Sequence, residues 1–405
     1  MKSSSCLSIC VLLALLLSCN KTVIIEQPDY DTNGGDSDIS FSIDRIELTD
    51  NATILDMSFY HFPGYWVRID SDTKLIGVNT GKVYSLFKIK GMQPDTTEWM
   101  QKEAFRNARL YFEPIDPHDR EVDFIESDEW TVKGIKLYDN TKGKIKTNLS
   151  GTLDYFGGSW LRITEAGDNM KFGKTYIVPV RDGKFSYDIF TEYPRLFHVM
   201  IGKQYRSGTA QVADFWSEGD SVRLNYPNGN INNFTLKGGP LTKEQNEFIK
   251  RKEKEEDKIH KGYYSKINEL GKKGLLKTKR YMDLEYRFEN EAIGRERENI
   301  LDTIRLLNQL NQVYTPEGEK LLSEINKYYE AHRDSISEEG IKFYIAVLEK
   351  PSMVNLGIIY QEIREGNIRY KKEILKLFQD NYRDFHPEHP YHKYLTEISR
   401  IYDNQ

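Results

Sequence analysis

Residues 221–267 read SVRLNYPNGNINNFTLKGGPLTKEQNEFIKRKEKEEDKIHKGYYSKI, and the pattern of the chain changes inside them. Before Pro240 the apolar residues Val222, Leu224 and Tyr226 alternate with Arg223 and Asn225. A period of two marks a strand with one buried face. After Pro240 the period is 3.6: Phe248, Ile259, Tyr263, Ile267 and Leu270 fall on one stripe. Leu241 starts a helix, and Thr242 and Gln245 are placed to form a capping box. The run KRKEKEEDK at 250–258 interleaves charges at i, i+4 spacing, which is the pattern of a solvated helix face.

Working back from that switch, strands are expected at 149–155, 160–165, 174–180, 183–190, 195–202, 210–216, 221–226 and 234–237. Arg181-Asp182-Gly183 is a good hairpin turn, because Asp-Gly tolerates positive φ. A first β region runs from Phe41 to about Asn148. There Leu55, Met57 and Phe59 alternate with Asp56 and Ser58, and Val122 and Phe124 with Asp123. Turn signals at 62–64, 79–81 and 114–117 divide it into about eight short strands, as in a sandwich. Working forward, helices are expected near 279–314, 316–332, 338–348, 353–364, 368–382 and 391–402, with no fixed repeat. The expected fold is two antiparallel β-sandwich domains, 41–148 and 149–239, followed by an all-α helical domain, 240–405.

The N-terminus has a different design. Lys2 is a short positive region, and Cys6 to Leu17 form an apolar one. That is too short for a permanent membrane span, which needs about 20 apolar residues, and has the layout of a signal peptide, 1–19. Leu16-Leu17-Ser18-Cys19 resembles a bacterial lipobox, which implies lipidation of Cys19 as the new N-terminus. Residues 20–40, rich in Asp, Gly, Ser and Asn, read as a flexible linker. The expected address is the cell envelope, lipid-anchored to a membrane. Asn20 and Lys21 lack the acidic run that resembles a surface-export signal, so the reading leans to the outer membrane facing the periplasm, with surface exposure the alternative.

Composition removes several chemistries. A net charge of −5 gives no basic footprint, so nucleic acid is not an expected partner. All three cysteines, Cys6, Cys10 and Cys19, lie in the signal region. The body offers no Cys nucleophile, Cys ligand or disulfide. There is no Gly-x-Ser-x-Gly elbow and no phosphate-cradling glycine loop. Carboxylates are plentiful at 62, but sequence spacing does not place two across a cleft.

The turn and edge residues 149–153 (LSGTL), 181–185 (RDGKF), 218–222 (EGDSV) and 238–242 (GGPLT), leading to Asn246 and Phe248, are similar to a β-sandwich domain of unknown function. That domain occurs in Bacteroidota lipoproteins, upstream of a thioredoxin fold of the TlpA/ResA disulfide-reductase kind. The helical region that follows also resembles theirs, so the likeness covers about 148–400. It implies fold and address. The Cys-x-x-Cys of those relatives follows the helices, where this sequence ends, at Gln405. No catalytic residue carries over, and the expectation is a protein without the redox domain.

His386-Pro-Glu388-His389-Pro-Tyr-His392 is the densest set of ligand types. Its spacing is not a zinc signature, and two prolines make it an inter-helix turn with exposed imidazoles. Neither metal nor cofactor is expected. Tyr60, Tyr65, Trp66, Trp99, Trp130, Trp160 and Trp216 read mainly as core; exposed and coplanar, they would form a sugar-stacking surface. Four Asp-Ser/Thr triplets resemble O-glycosylation acceptors of Bacteroidota envelope proteins, at Thr96, Ser221, Thr303 and Ser335. The expected function is a non-catalytic binding or scaffolding module, its partners the membrane through the lipid and an envelope protein. Two alternatives stand beside it. One is an accessory of periplasmic thiol–disulfide exchange that docks a thioredoxin-like partner, and the other is a surface glycan binder.

Overall fold

The computed structural model describes residues 22–31, 40–60, 65–100, 105–127, 130–153, 160–168, 175–201, 213–227, 234–290, 295–366 and 370–403. The signal region and Cys19 lie outside them. The described chain is β-rich to residue 237 and helical beyond it. It divides into two compact units with the main break between Lys142 and Gly143.

The first unit is an eight-stranded antiparallel sheet. Its strands are β1 (Val23–Glu26), β2 (Ser40–Leu48), β3 (Thr53–Tyr60), β5 (Lys74–Gly77), β6 (Val83–Lys90), β8 (Phe105–Phe112), β9 (Glu121–Ile125) and β10 (Thr131–Lys136). Their order is β1-β2-β3-β8-β6-β5-β9-β10. Strands distant in that order still share one core. Phe59 of β3 and Phe124 of β9 both meet the Trp130 ring, at 5.9 and 5.4 Å, so the sheet folds over on itself. A separate two-stranded ribbon pairs β4 (Trp66–Val67) with β7 (Glu98–Trp99).

The expected linker, 20–40, is partly ordered. β1 pairs with β2, Ile25 is buried in the core, and the Asn140 side chain donates to Asp29. Of the apolar residues Val23 to Ile25, Ile25 supplies the buried surface, while Val23 and Ile24 are exposed.

The second unit has three layers. The outer sheet contains β11 (Ile145–Leu153), β14 (Lys184–Thr191), β17 (Val222–Tyr226) and β18 (Thr235–Lys237), ordered β14-β11-β17-β18. The inner sheet contains β12 (Trp160–Glu165), β13 (Thr175–Pro179), β15 (Arg195–Ile201) and β16 (Ala213–Ser217), ordered β13-β12-β15-β16. One pair, β11 with β17, is parallel; the others are antiparallel. Leu149, Phe185, Leu224, Leu161, Phe197 and Phe215 fill the space between the sheets. Alternate residues of the inner sheet point the other way. Leu196 and Trp216 therefore join a second core with the helices.

Those helices are α1 (Pro240–Ile259), α2 (Tyr263–Lys272), α3 (Lys279–Asn290), α4 (Arg295–Gln309), α5 (Pro316–Leu348), α6 (Met353–Arg364), α7 (Lys371–Asn381) and α8 (Pro390–Asp403). The helices expected at 316–332 and 338–348 run on as one element, α5, but its backbone leaves helical geometry at His332 (φ −127°, ψ 17°), so the end expected at 332 is present as a kink. One expectation needs correction. The capping box at α1 does not form, because the N-cap is Gly239 and contributes no side chain. Glu218, from the β16–β17 turn, accepts instead from the backbone N–H of Leu241 and Thr242. The Thr242 hydroxyl is drawn to β16, where it accepts from Trp216 N–H at 3.0 Å. A carboxylate also suits the positive end of a helix better than a hydroxyl does.

Candidate functional site

Two faces of the second unit concentrate polar chemistry. The first is buried between the inner sheet and α6 and α8. His198 on β15 is 4% exposed. Its Nδ1 lies 2.7 Å from an Asp214 oxygen on β16, and its Nε2 lies 3.7 Å from Glu365, just past α6. Burial disfavours the charged ring, but the two carboxylates outweigh it and push the His198 pKa up to about 10. The imidazolium is thus the favoured form, with Nδ1–H donating to Asp214.

Beside it, Arg195 pairs with Glu165 at 2.5 Å, and Arg364 pairs with Asp168 at 2.5 Å. Burial raises the Glu165 pKa, and Arg195 pulls against that shift. Tyr391, fully buried on α8, accepts from Leu196 N–H at 2.9 Å and stacks on Tyr360 at 4.1 Å. Each of these ionic groups has a partner on a neighbouring element. The network fixes how the helices seat on the sheet.

The histidine segment adds to this seam. Only His386 is exposed as expected; His389 and His392 are buried. His389 Nε2–H donates to Pro194 carbonyl at 2.9 Å, and its Nδ1 accepts from Tyr391 N–H. Burial lowers its pKa to about 4, so the ring is neutral. His392 Nε2–H donates to the carbonyls of Tyr382 and Arg383. Imidazoles at both ends of α8's first turn thus satisfy backbone carbonyls, which spacing along the chain does not reveal. Among the described residues no three His, Cys, Asp or Glu side chains converge as a metal site.

The second face is the outward side of the outer sheet. Ser150 lies opposite Ser186 on one side and Arg223 on the other, and Thr152 lies between Lys184 and Asn225. Arg223 in turn faces Lys237, and Asn225 faces Thr235. The intervening residues Leu149, Phe185, Val222 and Leu224 are buried, so alternation delivers a polar carpet over an apolar floor. A cleft of about 790 Å³ opens over this carpet, lined by Arg181, Lys184, Arg223, Ser150, Thr152, Ser186 and Asn225 among others. Three of its lining residues are cationic and none is acidic. The carboxylate on the same face of β14, Asp188, lies two rows away, bound to Lys146 at 2.8 Å and to the Asn148 amide at 2.8 Å.

The residues singled out in the sequence do not assemble. Of the seven aromatics, Tyr60, Trp130, Trp160 and Trp216 are buried and Tyr65 is half-buried. Trp66 and Trp99 are 48% and 55% exposed and lie opposite each other on the β4–β7 ribbon. Thr96 and Ser221 are exposed in loops. Thr303 and Ser335 lie within helices, where their hydroxyls donate to the carbonyls of Asn299 and His332. The cationic cleft went unread because its members lie on separate strands. The signal available was a cation at each of Arg181, Lys184 and Arg223, on or beside strands whose neighbouring outward positions, 150, 152, 186 and 225, are Ser, Thr and Asn.

No protein family matches the chain, and neither a curated protein nor a solved structure matches it.

Proposed function

We propose that this protein is a non-catalytic binding module of the cell envelope, tethered through Cys19. The supporting observation is the division of labour in the second unit. Its buried ionisable groups pair with one another at the sheet–helix seam, while Arg181, Lys184 and Arg223 line an open cleft on the outer sheet face that holds no carboxylate. No described helix is long and apolar enough to cross a membrane. The test is crosslinked affinity purification of the intact lipoprotein from its native membrane, together with Cys19→Ala. The expected result is release of the variant from the membrane and recovery of a specific envelope ligand by the parent. Turnover of ester, glycoside or disulfide substrates by the purified protein would overturn the reading.

A second reading, stacking of a neutral glycan, rests on the exposed Trp66–Trp99 pair. Replacing both rings by Ala would abolish neutral-sugar binding under that reading.

A further inference from the structure

We propose that the cleft over β11, β14 and β17 binds an acidic oligosaccharide, a hydroxyl-rich ligand carrying carboxylate or sulfate groups. This deepens the binding-module reading and rests on it.

The charge argument comes first. The chain is acidic overall, with a net charge of −5, yet the cleft is lined by Arg181, Lys184 and Arg223 and by no carboxylate. Among the described residues Lys184 and Arg223 form no ion pair, whereas Lys146 on the same sheet is matched to Asp188. A cleft lined by cations and no carboxylate carries a positive potential that attracts an anionic ligand. Arg223 presents a planar fork that suits a carboxylate or sulfate bidentately, and Lys184 supplies a point charge.

The neutral lining selects the rest of the ligand. Ser150 offers a hydroxyl that both donates and accepts, Ser186, which accepts from the Asn148 amide, keeps its proton to donate, and Thr152 keeps lone pairs to accept. Asn225 Oδ1 is already taken by Thr152, which donates from N–H and Oγ1 at 3.1 Å each. That bond turns the amide NH₂ of Asn225 outward as a donor. Sugar hydroxyls need such two-way partners; a bare inorganic anion needs only donors. The volume of about 790 Å³ suits a ligand of a few rings rather than a single ion.

Flatness is built in. A Cβ at Gly151 would lie 1.7 Å from the Leu224 carbonyl oxygen, so glycine lets β11 and β17 close up at the centre of the cleft. Adjacent strands are about 4.8 Å apart and alternate residues about 6.8 Å apart along a strand, so Lys184 and Arg223 are diagonal across the carpet. An extended chain with charges at intervals can meet both.

The test titrates the intact, detergent-solubilised lipoprotein with oligogalacturonate and with a heparin oligosaccharide. A neutral oligosaccharide, inorganic phosphate and single-stranded DNA serve as competitors. The expected result is binding of an acidic saccharide that weakens with salt and falls at least ~10-fold in both Lys184→Ser and Arg223→Ser. Arg223→Lys retains part of the affinity. The unfolding midpoints of these variants match the parent, which separates lost ligation from lost fold. Failure of both acidic saccharides to bind overturns the assignment. So do variants that bind as tightly as the parent, and so does equal binding of DNA or full displacement by equimolar phosphate. Loss of saccharide binding only in Trp66→Ala/Trp99→Ala moves the site to the ribbon and also overturns it. If membrane capture still recovers a specific partner after such a result, the ligand assignment alone falls. If capture fails as well, the binding-module reading falls with it.

Discussion

The two sheets of the second unit are built on the same alternation but end in opposite electrostatics. The inner sheet turns His198, Asp214, Arg195 and Glu165 toward the helices, and every charge there finds an opposite charge. The outer sheet turns Lys184, Arg223 and Lys237 outward among hydroxyls and amides, and among the described residues none of these three is in an ion pair, while Lys146 further along is matched to Asp188. Burial explains the difference. An unmatched charge inside costs several kcal/mol, so the covered face must be balanced residue by residue. An exposed cation is solvated by water, so the open face is free to carry an excess. Stability should therefore reside in the first face and ligand selection in the second.

The strongest way to break that contrast is at the covered face. Asp214→Ala leaves the His198 imidazolium buried beside Glu365 alone, and should cost about 3–5 kcal/mol in urea unfolding. Little or no loss would mean that the seam is not set by charge. Next comes Gly151→Ala, whose added methyl collides with the Leu224 carbonyl. Opening the β11–β17 pair should cost about 3 kcal/mol, read as a lower thermal midpoint. Smaller again is Tyr391→Phe, which strips the buried Leu196 N–H of its acceptor and should cost about 1–3 kcal/mol.

The pH dependence sharpens the same comparison. The folded pKa of His198, about 10, lies above its ordinary 6.5, so folding favours the protonated ring. Its contribution is fully present below pH 6.5 and is lost as pH rises toward about 10. The gap in urea midpoint between parent and His198→Gln should therefore shrink over that window. At the open face Arg223→Ser should leave the unfolding midpoint unchanged, the smallest effect of the series, and change only ligand affinity.

Much of the fold was legible in the sequence. The strand expected at 160–165 is β12, and the helix expected at 353–364 is α6. β12 alternates cleanly, and α6, buried at every position from Val354 to Tyr360, is bounded by Ser352, whose hydroxyl accepts from Asn355 N–H as its cap. Boundaries failed where a distant residue intervened. Glu218 replaced the local capping box at α1. In α5 the backbone leaves helical geometry at His332, where the first of two helices was expected to end, and helical structure resumes directly after it rather than at 338. The site was less legible. Lys184 and Arg223 are 39 residues apart in the chain and share a cleft because each pairs with β11.

By itself the sequence determined the order of β and α regions, the inward and outward position of each strand residue, and the absence of cysteine from the body. These follow from local period and composition, which act over a few residues. Only the tertiary structure decided that His198 meets Asp214 and Glu365, that His389 and His392 serve backbone carbonyls, and that three cations share a cleft. Those outcomes depend on strand register and on which face each helix covers. Register is set by the packing of apolar residues from distant segments, and no local pattern encodes it.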